Sequence, residues 1–210
     1  MAQGRKDSPD RVVVNPSRRQ LLDRFLIELS LVGGKGYRAS GPRQAVGRFC
    51  DVVRASGMKR AAIWQHRLLR ELGLHAALAG IGLECSEISE EIPERDRMAR
   101  VSAADVGITA VDHGVAETGS LVLYSLSGQA RMVSLLPPIH VAFLAPGRLV
   151  SSLAALSPIL KNDLEGPRGA SNIALITGPS RTADIELSLT QGVHGPKEVH
   201  VFTWEEESPR

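Results

Sequence analysis

The chain has 210 residues and a formal net charge of +2 at pH 7, and this length predicts one domain with ample material for a hydrophobic core. With so little net charge and only 4% aromatic residues, it has neither a basic field nor stacking rings for nucleic acid. The polar start MAQGRKDSPDR lacks the apolar core of a signal peptide, and no segment holds about eighteen uninterrupted apolar residues. We therefore expect a cytoplasmic protein with no membrane span and no nucleic-acid partner.

The cysteine and histidine patterns argue against a metal centre. Cys50 and Cys85 are far apart, with no CxxC motif and no histidine at ligand spacing. They cannot form a zinc site or an iron–sulfur cluster by themselves. The six histidines contain no HExxH pair, although a site built from three distant histidines stays open as an alternative. We predict no metal and no cofactor in this chain.

The first part of the chain predicts a tail, a helix and a glycine-rich connection. Residues 1–16 mix charge, Pro and Gly and predict a flexible tail. Ser17 can cap a helix with apolar residues at helical spacing, which Gly33 and Gly34 end. The segment GGKGYRASG over 33–41 follows a helix rather than a strand, so it fails as a dinucleotide loop and predicts a flexible connection.

Helices and strands then alternate. A second helix is predicted from Pro42 to Gly57. The next predicted elements are a strand over 61–64, a helix over 68–80 broken near Gly73, a strand over 82–85, a helix from Pro93 to about 103 and a strand over 105–110. This alternation predicts an α/β fold, a single domain with a mostly parallel sheet flanked by helices.

The segment over 104–125 places two apolar runs around the residues ETGS, which predicts a tight strand-turn-strand. Gly119 supplies the backbone freedom that such a turn requires. A carboxylate between hydroxyls can act as a nucleophile, a general base or a ligand anchor, although a glutamate on an exposed turn is often only solvated. The candidates are Glu117 as a catalytic residue, and Thr118, Gly119 and Ser120 as ligand-binding residues.

A further buried strand is predicted over 139–144, with His140 near its start. This histidine is either satisfied by the backbone at a sheet edge or available to a ligand, and it is a candidate ligand-binding residue. A helix over 149–160 and a polar loop over 162–171 follow.

The apolar run over 173–176 predicts a strand buried on both faces that ends at Gly178. Ser180, Arg181 and Thr182 then offer hydroxyls, a guanidinium and backbone N–H groups. These suit a carboxylate or phosphate at a strand's carboxyl end. The alternative is an ordinary turn whose hydroxyls cap local backbone.

The last segment alternates apolar and polar residues over 183–190, which favours a strand over a short crossover helix. GVHGP over 192–196 then predicts a turn into a final antiparallel strand over 199–202. Asp184 and His194 in this segment are further candidate ligand-binding residues.

Four separated motifs carry a family resemblance: ITGPSRTADIE, GVHGP followed by HVF, GITAVDHGVAETGSLVLYS, and SLLPPIHVAFLAP. Together they resemble the lactate-utilisation protein C family (LutC/YkgG), also called the LUD domain. The resemblance covers residues 17–204, which places a flexible tail over 1–16 and an acidic tail over 205–210. It implies a fold similar to the NagB/RpiA/CoA-transferase-like group.

The resemblance also implies a role with iron–sulfur partner proteins in the oxidation of L-lactate to pyruvate. Because this chain has two isolated cysteines and no dinucleotide fingerprint, we expect the redox cofactors on the partners. The chain would then be a non-redox component that binds a small carboxylate or phosphorylated ligand at the GPSRT and ETGS stretches.

Two alternatives stay open. One is a CoA-transferase-like or sugar-phosphate-type enzyme in which Glu117 attacks a thioester or activates the substrate. The other is a structural module that only binds partners. Parallel strands bring their carboxyl ends to one sheet edge, so we expect Glu117, Ser180 and Arg181 to share one crevice.

Overall fold

The structure is a computed structural model that describes residues 16–165, 170–183, 189–191 and 195–205. The helices are α1 Arg18–Leu31, α2 Pro42–Ser56, α3 Arg67–Glu71, α4 Leu74–Ala79, α5 Glu94–Ser102, α6 Met132–Leu135 and α7 Leu153–Glu165. The strands are β1 Lys35–Ala39, β2 Arg60–Trp64, β3 Glu84–Ile88, β4 Val106–Ala110, β5 His113–Val115, β6 Ser120–Ser125, β7 Ile139–Leu144, β8 Leu149–Val150, β9 Asn172–Ile176, β10 Arg181–Ala183, β11 Leu189–Gln191 and β12 Glu198–Trp204.

The ends of the first two helices follow the predicted signals. Ser17 and Gln20 form a capping box at the start of α1. Pro42 opens α2, and Gly57 ends it in the left-handed conformation. Gly73 separates α3 from α4, which confirms the predicted break.

Six parallel strands form the main sheet in the order β1-β12-β7-β4-β2-β3. Helices α2 and α4 pack on one face, while α1, α5, α6 and a second sheet cover the other. Because both faces are covered, the central strands are almost entirely buried, as Val106–Ala110 illustrates. The predicted α/β fold with a mostly parallel sheet flanked by helices is confirmed.

The second sheet has four strands in the order β8-β5-β6-β9. Its β5–β6 hairpin confirms the predicted strand-turn-strand. Leu121 and Leu123 of β6 face the main core, whereas Val122 and Tyr124 pack with Leu156 of α7. This sheet therefore lies between the main sheet and α7.

The glycine-rich segment over 33–41 contains β1, an edge strand, and the prediction of a flexible connection was wrong. β1 pairs in parallel with β12, and Tyr37 stacks on Phe202 with ring centroids 4.4 Å apart. β12 is parallel to both of its neighbours, β1 and β7, so the prediction of a final antiparallel strand was also wrong. The pairing partner is distant in sequence, so a local pattern does not reveal it.

Two further element boundaries differ from the predictions. The region over 149–160 begins with the short strand β8, and α7 starts only at Leu153. Strand β3 begins at Glu84, two residues later than the apolar run indicated.

Strand β9 is not buried on both faces as predicted. It is the edge strand of the second sheet, antiparallel to β6, and Leu175 is 51% exposed. The prediction was wrong because a continuous apolar sequence is typical of a strand that is buried on both faces.

After β9 the chain forms two antiparallel strands, β10 and β11, in which Ala183 is opposite Leu189. The prediction of one strand over 183–190 was therefore wrong, because its two ends pair with each other. Residues 184–188 and 192–194 lie outside the described residues, and with them Asp184 and His194. Within the described ranges, no helix is long and apolar enough to cross a membrane.

Candidate functional site

The two polar turns singled out in the sequence lie next to each other. β6 pairs with β9 so that Leu121 is opposite Ile176, which brings the ETGS turn beside the end of β9. The hydroxyl of Ser120, a buried residue, lies 2.7 Å from that of Thr118 and 2.8 Å from that of Thr177. A row of three hydroxyls therefore joins the two turns.

Both turns rest on the last turn of α1. Gly119 and Gly178 have φ angles of 64° and 76°, a region that favours glycine. A Cβ atom on Gly119 would overlap the backbone nitrogen of Leu29, and one on Gly178 would overlap the carbonyl oxygen of Val32. Glycine is required at both positions because the backbones approach so closely.

This pair of turns lies at the amino edge of the main sheet, not at the carboxyl edge as predicted. Val32 precedes β1, and the Ser180 N–H donates to the carbonyl of Pro196, just before β12, at 2.9 Å. The Lys197 N–H donates to the carbonyl of Pro138, just before β7, at 2.8 Å. The predicted edge was wrong because β9 belongs to the second sheet and is antiparallel to β6. The carboxyl end of β9 therefore lies at the amino edge of the main sheet.

The amino-edge position bears on the predicted anion site. The nearby carboxyl end of α1 is the negative end of the helix dipole, which disfavours a negative charge, and the Ser180 N–H already has an acceptor. Arg181 and Thr182 have a described backbone in β10, but their side chains lie outside the described part. Anion binding by Ser180, Arg181 and Thr182 stays a prediction.

Glu117 contacts the start of α7. Its exposed carboxylate accepts from the N–H of Leu153 at 3.2 Å, and the Ser152 hydroxyl accepts from the N–H of Ala155 at 3.2 Å. The two side chains satisfy N–H groups of the first helical turn. A catalytic role for Glu117 stays a prediction.

His140 lies in the core, on the central strand β7. Its Nε2 atom is 2.9 Å from the Thr109 hydroxyl, and its Nδ1 atom has no partner among the described residues. Burial, together with the nearby His200, lowers the pKa of His140 to about 3, so the ring is neutral. In the described part of the chain, the hydrogen bond of this histidine joins it to Thr109 and not to either polar turn.

The carboxyl edge of the main sheet holds a crevice that the sequence analysis missed. From β2 the chain continues outward to β3, whereas from β4 it continues across the sheet to β7, so the strand order reverses between β2 and β4. A crevice of about 270 Å³ opens there, between the loops that follow β2, β4 and β7. Ligands of open α/β sheets bind at such a reversal.

Five charged or polar side chains line this switch-point crevice: His66, Arg67, Glu71, Asp112 and Arg148. The His66 Nδ1 atom accepts from the N–H of Leu68 at 3.0 Å, which places the ring proton on Nε2. Burial and then the charge of Arg148 lower the pKa of His66. The ring is therefore a neutral donor beside a guanidinium.

The other walls of the crevice are fixed or apolar. The carboxylate of Asp112 accepts from the N–H of Tyr124 at 2.8 Å, and Arg67 pairs with Glu71 at 2.6 Å. Val111 and Ala145 contribute apolar surface. The crevice thus combines two N–H donors with an apolar wall.

The model of the LUD domain family matches residues 22–202. The chain belongs to the LUD domain family. The resemblance of the four sequence motifs is thereby confirmed.

Several relatives of this LUD domain are named lactate utilization protein C. The one from Shouchella clausii is 34% identical over 146 residues, 70% of this chain and 62% of the relative. The one from Oceanobacillus iheyensis is 32% identical over 164 residues, 75% of this chain and 65% of the relative. The matched part of the chain therefore spans less than two thirds of these relatives.

A crystal structure of a DUF162 family protein from Deinococcus radiodurans has the same fold. It superposes with a TM-score of 0.64 at 18% identity and covers 91% of this chain and 100% of that protein. The similarity to the NagB/RpiA/CoA-transferase-like group stays a prediction.

The cysteines of this LUD domain do not form a common site. Cys50 is buried, and burial raises the pKa of the partly buried Cys85 to about 11. In the part of the chain that the structure describes, no group of three or more His, Cys, Asp or Glu side chains is placed to hold a metal ion.

Proposed function

We propose that this LUD domain acts in lactate utilisation as a component that binds a small carboxylate in the switch-point crevice. The names of its relatives support the pathway. The observation that carries the location is that the Arg148 guanidinium and the Nε2–H donor of His66 line one crevice where the strand order reverses.

The chemistry of the crevice suits a short carboxylate such as lactate or pyruvate. The Arg148 fork matches the two oxygens of a carboxylate, and the His66 N–H offers a further donor. The side chains of Val111 and Ala145 offer apolar contact to the methyl group. A hydrogen bond to a charged group contributes roughly 1.5–3 kcal/mol, so losing Arg148 should weaken binding strongly.

The redox step of such a system would take place on partner proteins. An iron–sulfur cluster of the common type needs four cysteine thiolates, and this chain has two distant cysteines. The family resemblance implies iron–sulfur proteins as partners, and they are the partner class that we propose. Iron analysis of the purified chain checks this point, and about four irons per chain, the content of one [4Fe–4S] cluster, would contradict it.

Calorimetry tests the carboxylate site. L-lactate, pyruvate and propionate are titrated into the wild type, Arg148→Met and Arg54→Met, the last a control because Arg54 pairs with Asp51 on the exposed surface of α2. We expect Arg148→Met to weaken binding about tenfold to a hundredfold and Arg54→Met to leave it unchanged. Equal affinities in the three proteins would rule out the crevice.

A further inference from the structure

A second cleft, of about 360 Å³, opens at the carboxyl edge beside the switch-point crevice. Its walls come from the end of β3, the end of β6, the start of β9 and helix α5. The N–H of Gln65 donates to the carbonyl of Gly128 at 3.0 Å, and this bridge stands between the cleft and the loop of His66. The two spaces are therefore separate.

Gln129 is the unusual residue of this cleft. It is only 8% exposed, and its side-chain oxygen has no hydrogen-bond partner among the described residues. Buried polar atoms in proteins are nearly always paired, so an unpaired one calls for a reason.

The loop that carries Gln129 is held in place on both sides. The Gln129 N–H donates to the carbonyl of Leu126 at 2.9 Å, and the carbonyl of Ala130 accepts from the indole N–H of Trp64 at 2.9 Å. The backbone is therefore fixed, and Gln129 is buried. Its free acceptor is thus preorganised for a donor that the described residues do not supply.

Charged groups line the same cleft as this acceptor. The Nε atom of Arg97 is buried in the described structure without a partner, and Arg131 lies on the same wall. Glu90 is the carboxylate among the lining residues, so the charges sum to one net positive. An anion is favoured near the arginines, while Gln129 and Glu90 accept hydrogen bonds.

We propose that this cleft binds a polyhydroxylated anion, a sugar acid or a sugar phosphate, as a second ligand of this LUD domain. The unpaired acceptor of Gln129 requires a donor on the ligand, which a hydroxyl group supplies. The arginines require a negative charge on the same molecule. The volume exceeds that of the neighbouring crevice and admits a ligand larger than lactate.

Calorimetry with the full chain tests this ligand class. Glucose 6-phosphate and gluconate show whether the anionic group is a phosphate or a carboxylate. Glucose carries only the hydroxyl groups, and inorganic phosphate carries only the negative charge. We expect at least one polyhydroxylated anion to bind, and both halves to bind at least about tenfold more weakly. Gln129→Met and Arg97→Met should each weaken the complex about tenfold, whereas Arg54→Met, on the exposed surface of α2, should leave it unchanged.

Other results would overturn the proposal. The cleft is excluded as the site if neither glucose 6-phosphate nor gluconate binds at millimolar concentration. It is also excluded if both variants bind the ligand as tightly as the wild type does. Phosphate binding as tightly as glucose 6-phosphate would show that hydroxyls are not recognised. If Gln129→Met does not fold, the NMR signal of the Gln129 side-chain amide in the wild type decides instead, since it must shift on ligand addition.

Discussion

The hydroxyl of Ser120 lies 2.8 Å from the hydroxyl of Thr177, 57 residues later in the chain. This contact places the ETGS turn and the turn after β9 side by side on the last turn of α1. Two of the four motifs that carry the family resemblance therefore meet in a tightly packed junction. The donors of the switch-point crevice lie at the opposite edge of the sheet.

The junction should not tolerate a side chain at Gly119. Gly119→Ala combines an unfavourable φ of 64° with an overlap of its Cβ with the backbone of α1, so we expect a loss of about 3 kcal/mol or more in the free energy of unfolding. Gly57→Ala is the matched control, because Gly57 has a φ of 67° and open space around its Cβ position. It should cost about 1 kcal/mol. Urea unfolding measures both, and equal losses would contradict the packing argument.

Glu117 should matter for the stability of α7. Glu117→Ala removes the acceptor of the Leu153 N–H, so we expect a loss of about 1 kcal/mol, whereas Glu91→Ala, on an exposed turn, should change stability by less than about 0.5 kcal/mol. Thermal unfolding compares the two. Equal stability of both variants would exclude the cap.

The same position tests the enzyme alternative. Glu117→Gln keeps the shape of the side chain but removes the charge that a nucleophile or base requires. Turnover of an acyl-CoA or sugar phosphate by the wild type that disappears in Glu117→Gln, with the fold retained, would favour the enzyme over the binding component.

Stability should fall as the pH drops below neutrality. The pKa of His140 is about 3 in the folded protein against 6.5 for a free histidine, so the unfolded chain takes up the proton first. The contribution of the neutral His140 to the free energy of unfolding is complete above pH 6.5 and is lost as the pH falls toward 3. The pKa values of His66 and His200 are also lowered, chiefly by burial, and act in the same direction.

Urea unfolding between about pH 5 and 6 measures this effect, above the range where most carboxylates titrate. His140 contributes a slope of about 1.4 kcal/mol per pH unit in this range. His140→Gln should reduce the wild-type slope by that amount, whatever its effect on absolute stability. An unchanged slope would show that His140 is protonated in the folded protein.

Local chemistry was sufficient to predict much of the fold. Ser17, Pro42 and Gly57 fix helix ends through short-range hydrogen bonds and backbone preferences, and the sequence marks them directly. The paired turns were also predicted to be neighbours, and the Ser120–Thr177 contact brings them together.

Long-range pairing explains what the sequence did not reveal. β1 is a strand because β12 lies beside it, and β9 is an edge strand because only β6 pairs with it. His66 and Arg148 belong to loops after different strands, and the strand order alone brings them to one crevice. The signal in the sequence was the presence of polar residues just after a buried strand, such as His66 after β2.

A crystal structure of the chain soaked with L-lactate or pyruvate tests carboxylate binding in the switch-point crevice most directly. We expect carboxylate density there, with its oxygens about 3 Å from the guanidinium of Arg148 and the Nε2 atom of His66. Density at the turn of Ser180 instead, with the crevice empty at saturating ligand, would contradict it.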